Sequence, residues 1–145
     1  MNYRKTSGDN MKLKEVTSLF YIKKEIKNLE SKLLYLREKS LTKNTIFHPV
    51  MGSASLAAGD DFITNHINEI IQTENEISNL YKECEKINEF IIGIKDPEIR
   101  LIVRLRAEFR RTWEDIGNEV KYHRTAVSKK FYGFFAKSSQ NDIYM

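Results

Sequence analysis

Apolar residues recur at alternating steps of three and four along two long stretches of the chain. Between residues 12 and 39, this spacing is kept by Leu19, Ile22, Ile26, Leu29, Leu33 and Leu36. Between residues 61 and 92, it is kept by Ile63, Ile67, Ile70, Ile77, Leu80, Cys84, Ile87 and Ile91, with an interruption at Thr73 and Glu74. Heptad spacing is typical of helices packed lengthwise, so the pattern predicts a long coiled-coil hairpin over residues 12–92.

The segment between the two predicted helices has the composition of a loop. Residues 40–60 contain proline, glycine and many small residues, which favour irregular backbone. Asp60 and Asp61 are predicted to cap the start of the second helix, where carboxylates complement the helix dipole. The polar ends of the chain are predicted to be a disordered tail at 1–11 and a frayed tail at 138–145.

Charge is divided unequally between the two predicted long helices. Residues 12–39 hold eight bases and four acids, net +4, whereas residues 60–92 hold two bases and eight acids, net −6. Opposite charges on the flanking positions favour these helices as neighbours. An exposed second face would let two hairpins pair, so we expect a homodimer. Whether the seam residues pair within one chain or between two chains stays open.

The apolar pattern shortens after residue 93 and predicts three further helices within residues 95–137. Asp96 followed by Pro97 is a strong helix start signal. The apolar positions of the first of these helices are Ile99, Ile102, Leu105 and Phe109. We therefore expect a small helical core that is separate from the hairpin.

The second and third of these helices are short and flank a turn of three residues. Thr112 is predicted to cap a helix that starts at Trp113, whose inward stripe is Trp113, Ile116 and Val120. Lys121, Tyr122 and His123 interrupt that stripe, and a new one continues through Val127, Phe131 and Phe134. The whole chain is thus predicted to be all-α, a helical hairpin followed by a three-helix module with a helix-turn-helix.

Positive charge is concentrated in the same module. Residues 95–137 hold eleven Lys or Arg against six Asp or Glu, net +5, and residues 121–137 hold no acid. A clustered basic face is typical of polyanion binding, and the second helix of a helix-turn-helix reads the major groove with its first residues. The predicted DNA base contacts are Arg124, Thr125, Ser128 and Lys129. The predicted phosphate contacts are Arg110, Arg111, Thr112, Lys121, Tyr122, His123, Lys130 and Tyr132.

Other classes of protein are disfavoured by composition. The single cysteine, Cys84, is predicted to be a small buried hydrophobe, and the three histidines have no ligand spacing, so neither a metal nor another cofactor is expected. No glycine-rich phosphate loop or nucleophile beside a base is present, which argues against an enzyme. No apolar run approaches the ~20 residues that cross a bilayer, and no signal segment follows the N-terminus, so we expect a cytoplasmic protein.

The C-terminal segment also carries a family resemblance. The runs Ile-Lys-Asp-Pro-Glu-Ile-Arg (94–100), Arg-Leu-Arg (104–106), Thr-Trp-Glu-Asp-Ile-Gly (112–117) and Tyr-His-Arg-Thr-Ala-Val (122–127) resemble phage-encoded transcriptional regulators of the RinA and ArpU type. Those proteins have a helix-turn-helix similar to region 4 of sigma-70 factors. The likeness extends upstream, where Gly-Asp-Asp (59–61) would open the second long helix, and it covers about residues 12–137.

The resemblance implies a regulator of phage or prophage late genes that acts on double-stranded DNA in a bacterial cytoplasm. It leaves open whether the protein activates or represses and whether it contacts RNA polymerase. Two positions depart from the family pattern. Gly117 stands where alanine is usual, which indicates either very close packing or a weak supporting helix. His123 stands where a serine usually caps the recognition helix, and histidine is a poorer cap.

Two other functions remain as alternatives. Small terminase subunits of phages also combine a helix-turn-helix with a coiled coil, but their DNA-binding module typically comes first, whereas here it comes last. The second alternative is an adaptor whose coiled coil binds a host protein and whose basic face is incidental. An adaptor should ignore DNA at physiological salt, and a terminase subunit should form a ring, so both are distinguishable from a dimeric regulator.

Overall fold

The computed structural model of the chain describes the backbone of residues 11–46 and 53–143, with side chains at 11–39 and 61–137. Every regular element in these ranges is a helix, as the sequence predicts. The helices are α1 (Leu13–Thr17), α2 (Leu19–Ile46), α3 (Ser53–Ile92), α4 (Pro97–Ala107), α5 (Trp113–Val120) and α6 (Arg124–Ile143). No helix in these ranges is long and apolar enough to cross a membrane.

The chain divides into two compact units, and the boundaries lie within the two long helices. Unit 2 runs from Lys24 to Tyr81 and holds most of α2 and of α3. Unit 1 contains the rest, namely the residues up to Lys23 and those from Lys82 onwards. The short helices α4, α5 and α6 therefore share unit 1 with α1 and the last turns of α3.

The core of unit 1 is built by α4, α5 and α6, which contact one another, while α1 contacts α4. An aromatic row runs through it: the ring centroids of Trp113 and Phe131 lie 5.1 Å apart, those of Phe131 and Phe135 also 5.1 Å, and those of Phe135 and Phe90 6.2 Å. Aromatic pairs at such distances contribute about 0.5–1.5 kcal/mol beyond the area they bury. Fully buried aliphatic residues of unit 1 complete its core: Val16, Ile91, Ile102, Val103, Ile116 and Val127.

In unit 2, polar contacts show that α2 and α3 run antiparallel. Arg37 bonds to Glu74 at 2.8 Å, and the Tyr81 hydroxyl donates to Glu30 at 3.2 Å, so residues that come later in α2 meet residues that come earlier in α3. On the opposite side of the helix pair, Lys32 and Glu69 approach to 3.8 Å. The opposite charges of the two segments thus meet within one chain, as the sequence predicts for neighbouring helices.

The buried line along α3 differs from the predicted seam near its start. His66 and Thr73 are buried there, whereas Ile63 and Ile67 are 42% and 48% exposed. In this stretch, two sets of positions with helical spacing could form the buried line: Ile63 and Ile67, or His66 and Thr73. The second set can be buried because both of its polar side chains form hydrogen bonds. His66 Nε2 donates to the Leu36 carbonyl at 2.7 Å, and the Thr73 hydroxyl donates to the Glu69 carbonyl at 2.8 Å.

The other predicted seam residues divide into two groups by burial. Buried ones are Leu19, Ile22, Ile26, Leu36, Ile77, Ile87 and Ile91. Half-buried ones are Leu29, Leu33, Ile70, Leu80 and Cys84. In unit 2, the predicted seam residues other than Ile63 and Ile67 are thus at least half-buried within the single chain.

Several predicted boundaries are wrong. The predicted loop 40–60 is much shorter, because α2 continues to Ile46 and α3 already begins at Ser53; residues 47–52 lie outside the described residues. Asp60 and Asp61 therefore stand inside α3 instead of capping it. A break at Ser18 divides the first predicted helix, and α6 continues to Ile143 through the predicted frayed tail.

The predicted tail 1–11 falls outside the described residues except for Met11, which is buried.

Phe109 was predicted to complete the stripe of α4 but is 54% exposed, because the helix ends at Ala107 and the helical spacing stops with it. At the other end of the module, Phe134 is only half-buried and Phe135 is buried. Val120 is also half-buried.

Candidate nucleic-acid interface

The start of α5 is fixed by a side-chain cap. Thr112 has extended backbone, and its hydroxyl oxygen accepts the backbone N–H of Asp115 at 3.1 Å. An N-cap of this kind stabilises a helix by about 1 kcal/mol. Ile116, one turn further on, is fully buried. The predicted start at Trp113 is therefore confirmed. Asp96 caps α4 in the same way, accepting from the N–H of Glu98 at 2.9 Å.

The turn after α5 folds back tightly onto the helix. Lys121 adopts the left-handed conformation with φ 68°, and the Tyr122 N–H donates to the Gly117 carbonyl at 3.0 Å. A Cβ atom at Gly117 would lie 2.5 Å from the carbonyl oxygen of Tyr122 and 3.3 Å from the nitrogen of Arg124. Both atoms belong to the backbone and cannot swing aside. Of the two interpretations of Gly117, the structure supports very close packing.

His123 caps α6 with its ring. Its backbone carbonyl accepts the N–H of Val127 at 3.1 Å, which is the first bond of the helix, and Nδ1 accepts the N–H of Thr125 at 3.2 Å. The ring therefore does what the hydroxyl of a capping serine would do. Because Nδ1 is the acceptor, the proton of a neutral imidazole is on Nε2. That outer N–H belongs to an exposed residue and can donate to a ligand.

The first residues of α5 and α6 face one open depression. It has a volume of about 440 Å³ and is lined by Thr112, Trp113, Glu114, Arg124, Thr125 and Ser128. The lining thus includes three of the four predicted base contacts and one predicted phosphate contact. Lys129, the fourth predicted base contact, is exposed on α6 but does not line the depression. The backbone N–H groups at helix starts and the two helix dipoles favour negative charge there.

Trp113 is one of the residues that line this depression, and its side chain is only half-buried. The Arg106 guanidinium lies 4.4 Å from the centre of its ring, and Arg106 also donates to the Arg111 carbonyl at 2.9 Å. The ring of Tyr132 meets that of Trp113 edge-on, with centroids 5.8 Å apart. Trp113 therefore links the core to the basic surface and is not wholly inside the core.

All the predicted phosphate contacts except the half-buried Lys130 are exposed, namely Arg110, Arg111, Thr112, Lys121, Tyr122, His123 and Tyr132. The backbone of Arg110 has a positive φ of 51°, and its guanidinium lies 5.0 Å from the ring centre of Tyr21. The backbone N–H of Arg111 donates to the Leu105 carbonyl at 3.1 Å, which fixes the loop before α5. Arginine is thus held at the loop that precedes the depression, a position suited to phosphate.

Two of the predicted phosphate contacts are engaged within the protein. Lys130 forms an ion pair with Glu98, and its Nζ lies 4.3 Å from the ring centre of Tyr122. The Tyr122 hydroxyl donates to the same carboxylate at 3.3 Å. The hydrogen bond with Glu98 raises the pKa of Lys130 above its usual range. Sequence reasoning missed this cluster because Glu98 and Lys130 are 32 residues apart.

A second ionic cluster in unit 1 joins α2 to the end of α4. The Glu108 carboxylate accepts from Lys23 and, at 2.9 Å, from Arg104. Partial burial tends to raise the pKa of Glu108, but the hydrogen bonds from Lys23 and Arg104 outweigh it and hold that pKa below its usual range. Nearby, burial raises the pKa of the Cys84 thiol, which Lys23 offsets in part.

Within the part of the chain that the structure describes, no group of His, Cys, Asp and Glu side chains could hold a metal ion. Comparisons of the chain with protein-family models, with curated proteins and with solved structures find no match. The case for a function therefore depends on the geometry of α4, α5 and α6 and on the surface that these helices carry.

Proposed function

We propose that the protein is a sequence-specific DNA-binding transcriptional regulator whose helices α4, α5 and α6 form a helix-turn-helix module like region 4 of sigma factors. In this proposal α6 lies in the major groove and α5 supports it across the groove. The observation that supports it most is the shared depression, because residues predicted to touch phosphates and bases from the sequence alone line one surface there.

The roles of the individual residues follow from their positions. Arg124 and Thr125 occupy the first turn of α6 and are exposed, which suits contact with base edges. Thr112 and Arg111 stand at the start of α5, where helix N-terminus and positive charge both favour a phosphate. The Ser128 hydroxyl already donates to the Thr125 carbonyl at 3.0 Å, so it would meet a base as an acceptor.

The charge distribution agrees with this orientation. Residues 121–137 carry five bases and no acid. DNA would therefore be attracted to the side of the module that α6 forms. A coiled-coil hairpin that dimerises would place two recognition helices on successive half-sites, about 34 Å apart along the duplex.

The biological setting in this proposal comes from the resemblance to RinA and ArpU regulators. It is control of late genes of a phage or prophage in the cytoplasm of a bacterial host, with RNA polymerase as a further candidate partner. No observation favours catalysis, and the proposed protein acts by binding alone.

The test is a selection of binding sites from a pool of random duplexes, followed by titration of the selected site and of random DNA at two salt concentrations. We expect the protein to bind the selected sequence more tightly than random DNA and to stay bound to it at the higher salt. Equal binding to both that disappears with salt would contradict the proposal and favour an adaptor with an incidental basic face.

Two variants with a matched control make the test specific to α6. Arg124→Ala should lose about 1–3 kcal/mol on the selected site only, and Arg111→Ala should weaken selected and random DNA alike. Lys137→Ala removes the same kind of charge from the same helix, more than two turns beyond Ser128, the last residue that lines the depression, and should cost far less. If Arg124→Ala and Lys137→Ala had equal effects, Arg124 would not be a base contact.

A further inference from the structure

Unit 2 carries a row of large aliphatic side chains on α3 that are each almost half exposed. On α3, Ile63, Ile67 and Ile71 follow one another at steps of four, and each is between 42% and 49% exposed. At 100° per residue, three such positions lie on one side of a helix. An exposed row of large aliphatic side chains is typical of a surface that binds another protein.

Two polar contacts show which side of the helix pair this row occupies. Arg37 meets Glu74, and Glu30 meets Tyr81, on one side of the pair. Leu34 lies one turn from both Glu30 and Arg37, and it is 60% exposed. Ile71 lies one turn before Glu74, so it faces the same side. We call the set Leu34, Ile63, Ile67 and Ile71 the isoleucine face.

The opposite side of the helix pair has a different character. There Lys32 and Glu69 approach each other, and both side chains are about half exposed. The two sides of unit 2 thus differ in apolar exposure, since the four aliphatic side chains lie on the side of the Arg37–Glu74 ion pair. The stretch of α3 between Phe62 and Thr73 contains one charged residue, Glu69, which is unusual for a helix that packs on one side only.

We infer that the isoleucine face binds the isoleucine face of a second copy of the chain, with α3 of one copy against α2 of the other. The charges favour this occupant. Residues 24–39 hold five bases and three acids, net +2, whereas residues 61–81 hold four acids and no Lys or Arg. Placing α3 against α2 of the partner brings opposite charges together, and a two-fold axis repeats the same contact on both copies.

This inference deepens the proposed function, since it names the surface by which the proposed regulator would dimerise. It also replaces the predicted dimer seam, because most of that seam is already buried within the chain. Only Ile63 and Ile67 of the predicted seam belong to the new surface.

The experiment is sedimentation equilibrium of the full chain over a series of micromolar concentrations. The wild-type protein should have twice the 17.1 kDa mass of one chain. Ile67→Glu should raise the dimer dissociation constant by at least about tenfold, because a carboxylate would be desolvated at two equivalent places in the interface. Asn68→Glu adds the same charge one residue away, at an exposed position on the solvent side of α3, and should leave the dimer intact.

Circular dichroism of the same samples checks that Ile67→Glu keeps the helix content of the wild type, as a half-exposed position should. A wild-type monomer throughout the series would overturn the inference and leave the face to a different protein or to another part of the chain. The inference would also be overturned if Asn68→Glu dissociated the dimer, or if the Ile67→Glu protein stayed dimeric. A ring of eight or more copies would contradict the two-fold arrangement and favour a terminase subunit.

Failure of this inference is distinguishable from failure of the proposed function. A monomeric Ile67→Glu protein should still bind a single half-site of the selected DNA, with its affinity for a complete two-fold site reduced to that of a half-site. A wild-type dimer that ignores DNA would instead contradict the proposed function and leave the dimer surface standing.

Discussion

The two helical glycines Gly117 and Gly133 allow a matched test of how closely the turn packs on α5. Changing glycine to alanine inside a helix favours folding by about 1 kcal/mol, because the unfolded chain loses freedom. At Gly133 no atom other than those of its chain neighbours and the adjoining backbone of its own helix lies within 4 Å of the added carbon, so Gly133→Ala should show this gain. At Gly117 the added carbon would stand 2.5 Å from the Tyr122 carbonyl oxygen, well inside van der Waals contact.

The predicted difference between the two variants is the cost of that contact alone, because the helix preference is common to both. Forcing an extra methyl group into a packed site costs about 1–3 kcal/mol. Gly117→Ala should therefore be about 1–3 kcal/mol less stable than Gly133→Ala. In melting temperature the gap should be roughly 4–12 °C, taking about 4 °C per kcal/mol for a chain of this size.

The assay is urea unfolding followed by tryptophan fluorescence. Trp113 is the single tryptophan and packs on Phe131, so its emission reports on unit 1 and on the contact between α5 and α6. The slope of free energy against urea should be equal in both variants, so that the midpoints compare stability directly. A Gly117→Ala protein as stable as Gly133→Ala would show that the turn does not press on α5.

Other predictions concern the same module. Lys121→Gly should raise stability by up to about 1 kcal/mol in urea unfolding, since glycine adopts the left-handed conformation without strain; a loss would show that the lysine side chain matters more than the backbone. His123→Asn should keep the helix cap and the melting temperature but weaken DNA binding in a titration, whereas His123→Gln should lower the melting temperature but keep DNA binding. Identical behaviour of the two variants would contradict the idea that Nδ1 caps α6 while the outer N–H donates to DNA. Because folding lowers the pKa of Glu108, the ionised carboxylate stabilises the fold above about pH 4.3, and this stabilisation is lost as the pH falls through the pKa of the folded state. Glu108→Gln should therefore remove part of the acid sensitivity of the free energy of unfolding. An unchanged pH profile of unfolding in this variant would contradict the role of Glu108. Trp113→Ala should destabilise unit 1 by about 3 kcal/mol in calorimetry, and an unchanged transition would show that the aromatic row does not hold the module together.

Periodicity and capping signals were sufficient for α4, α5 and the start of α6. Thr112, Asp96 and Pro97 mark helix starts through local hydrogen bonds and a fixed φ, which depend on neighbours in sequence, so the sequence contains the whole cause. The turn at Lys121 to His123 was predictable for the same reason. A glycine inside α5 is unusual in the sequence, but the reason for it is the close contact of Gly117 with the folded turn, which the sequence does not contain.

For the long helices, the boundaries and the buried line could not be predicted from local sequence. The small residues after Ser53 predict a loop, yet the alanines and the leucine among them favour helix when it is extended from a packed segment. Near the start of α3, isoleucines compete with polar residues for the buried line, and the periodicity alone cannot decide between two phases. The burial of His66 depends on the Leu36 carbonyl, 30 residues away in the chain. The Glu98 cluster at the candidate interface is equally non-local.

The flanking side chains of unit 2 also affect how its two long helices are aligned along their axes. A seam of leucine and isoleucine alone tolerates a slide of one helix by a heptad, because apolar side chains meet again after each repeat. The carbonyl that accepts from His66 belongs to the backbone, which repeats along α2, whereas Arg37 meets Glu74 through side chains that differ from one heptad to the next. A slide of seven residues in one direction would bring Glu30 opposite Glu74, two like charges. The charged flanks therefore favour one register of the hairpin, and with it which side chains reach its outer surface.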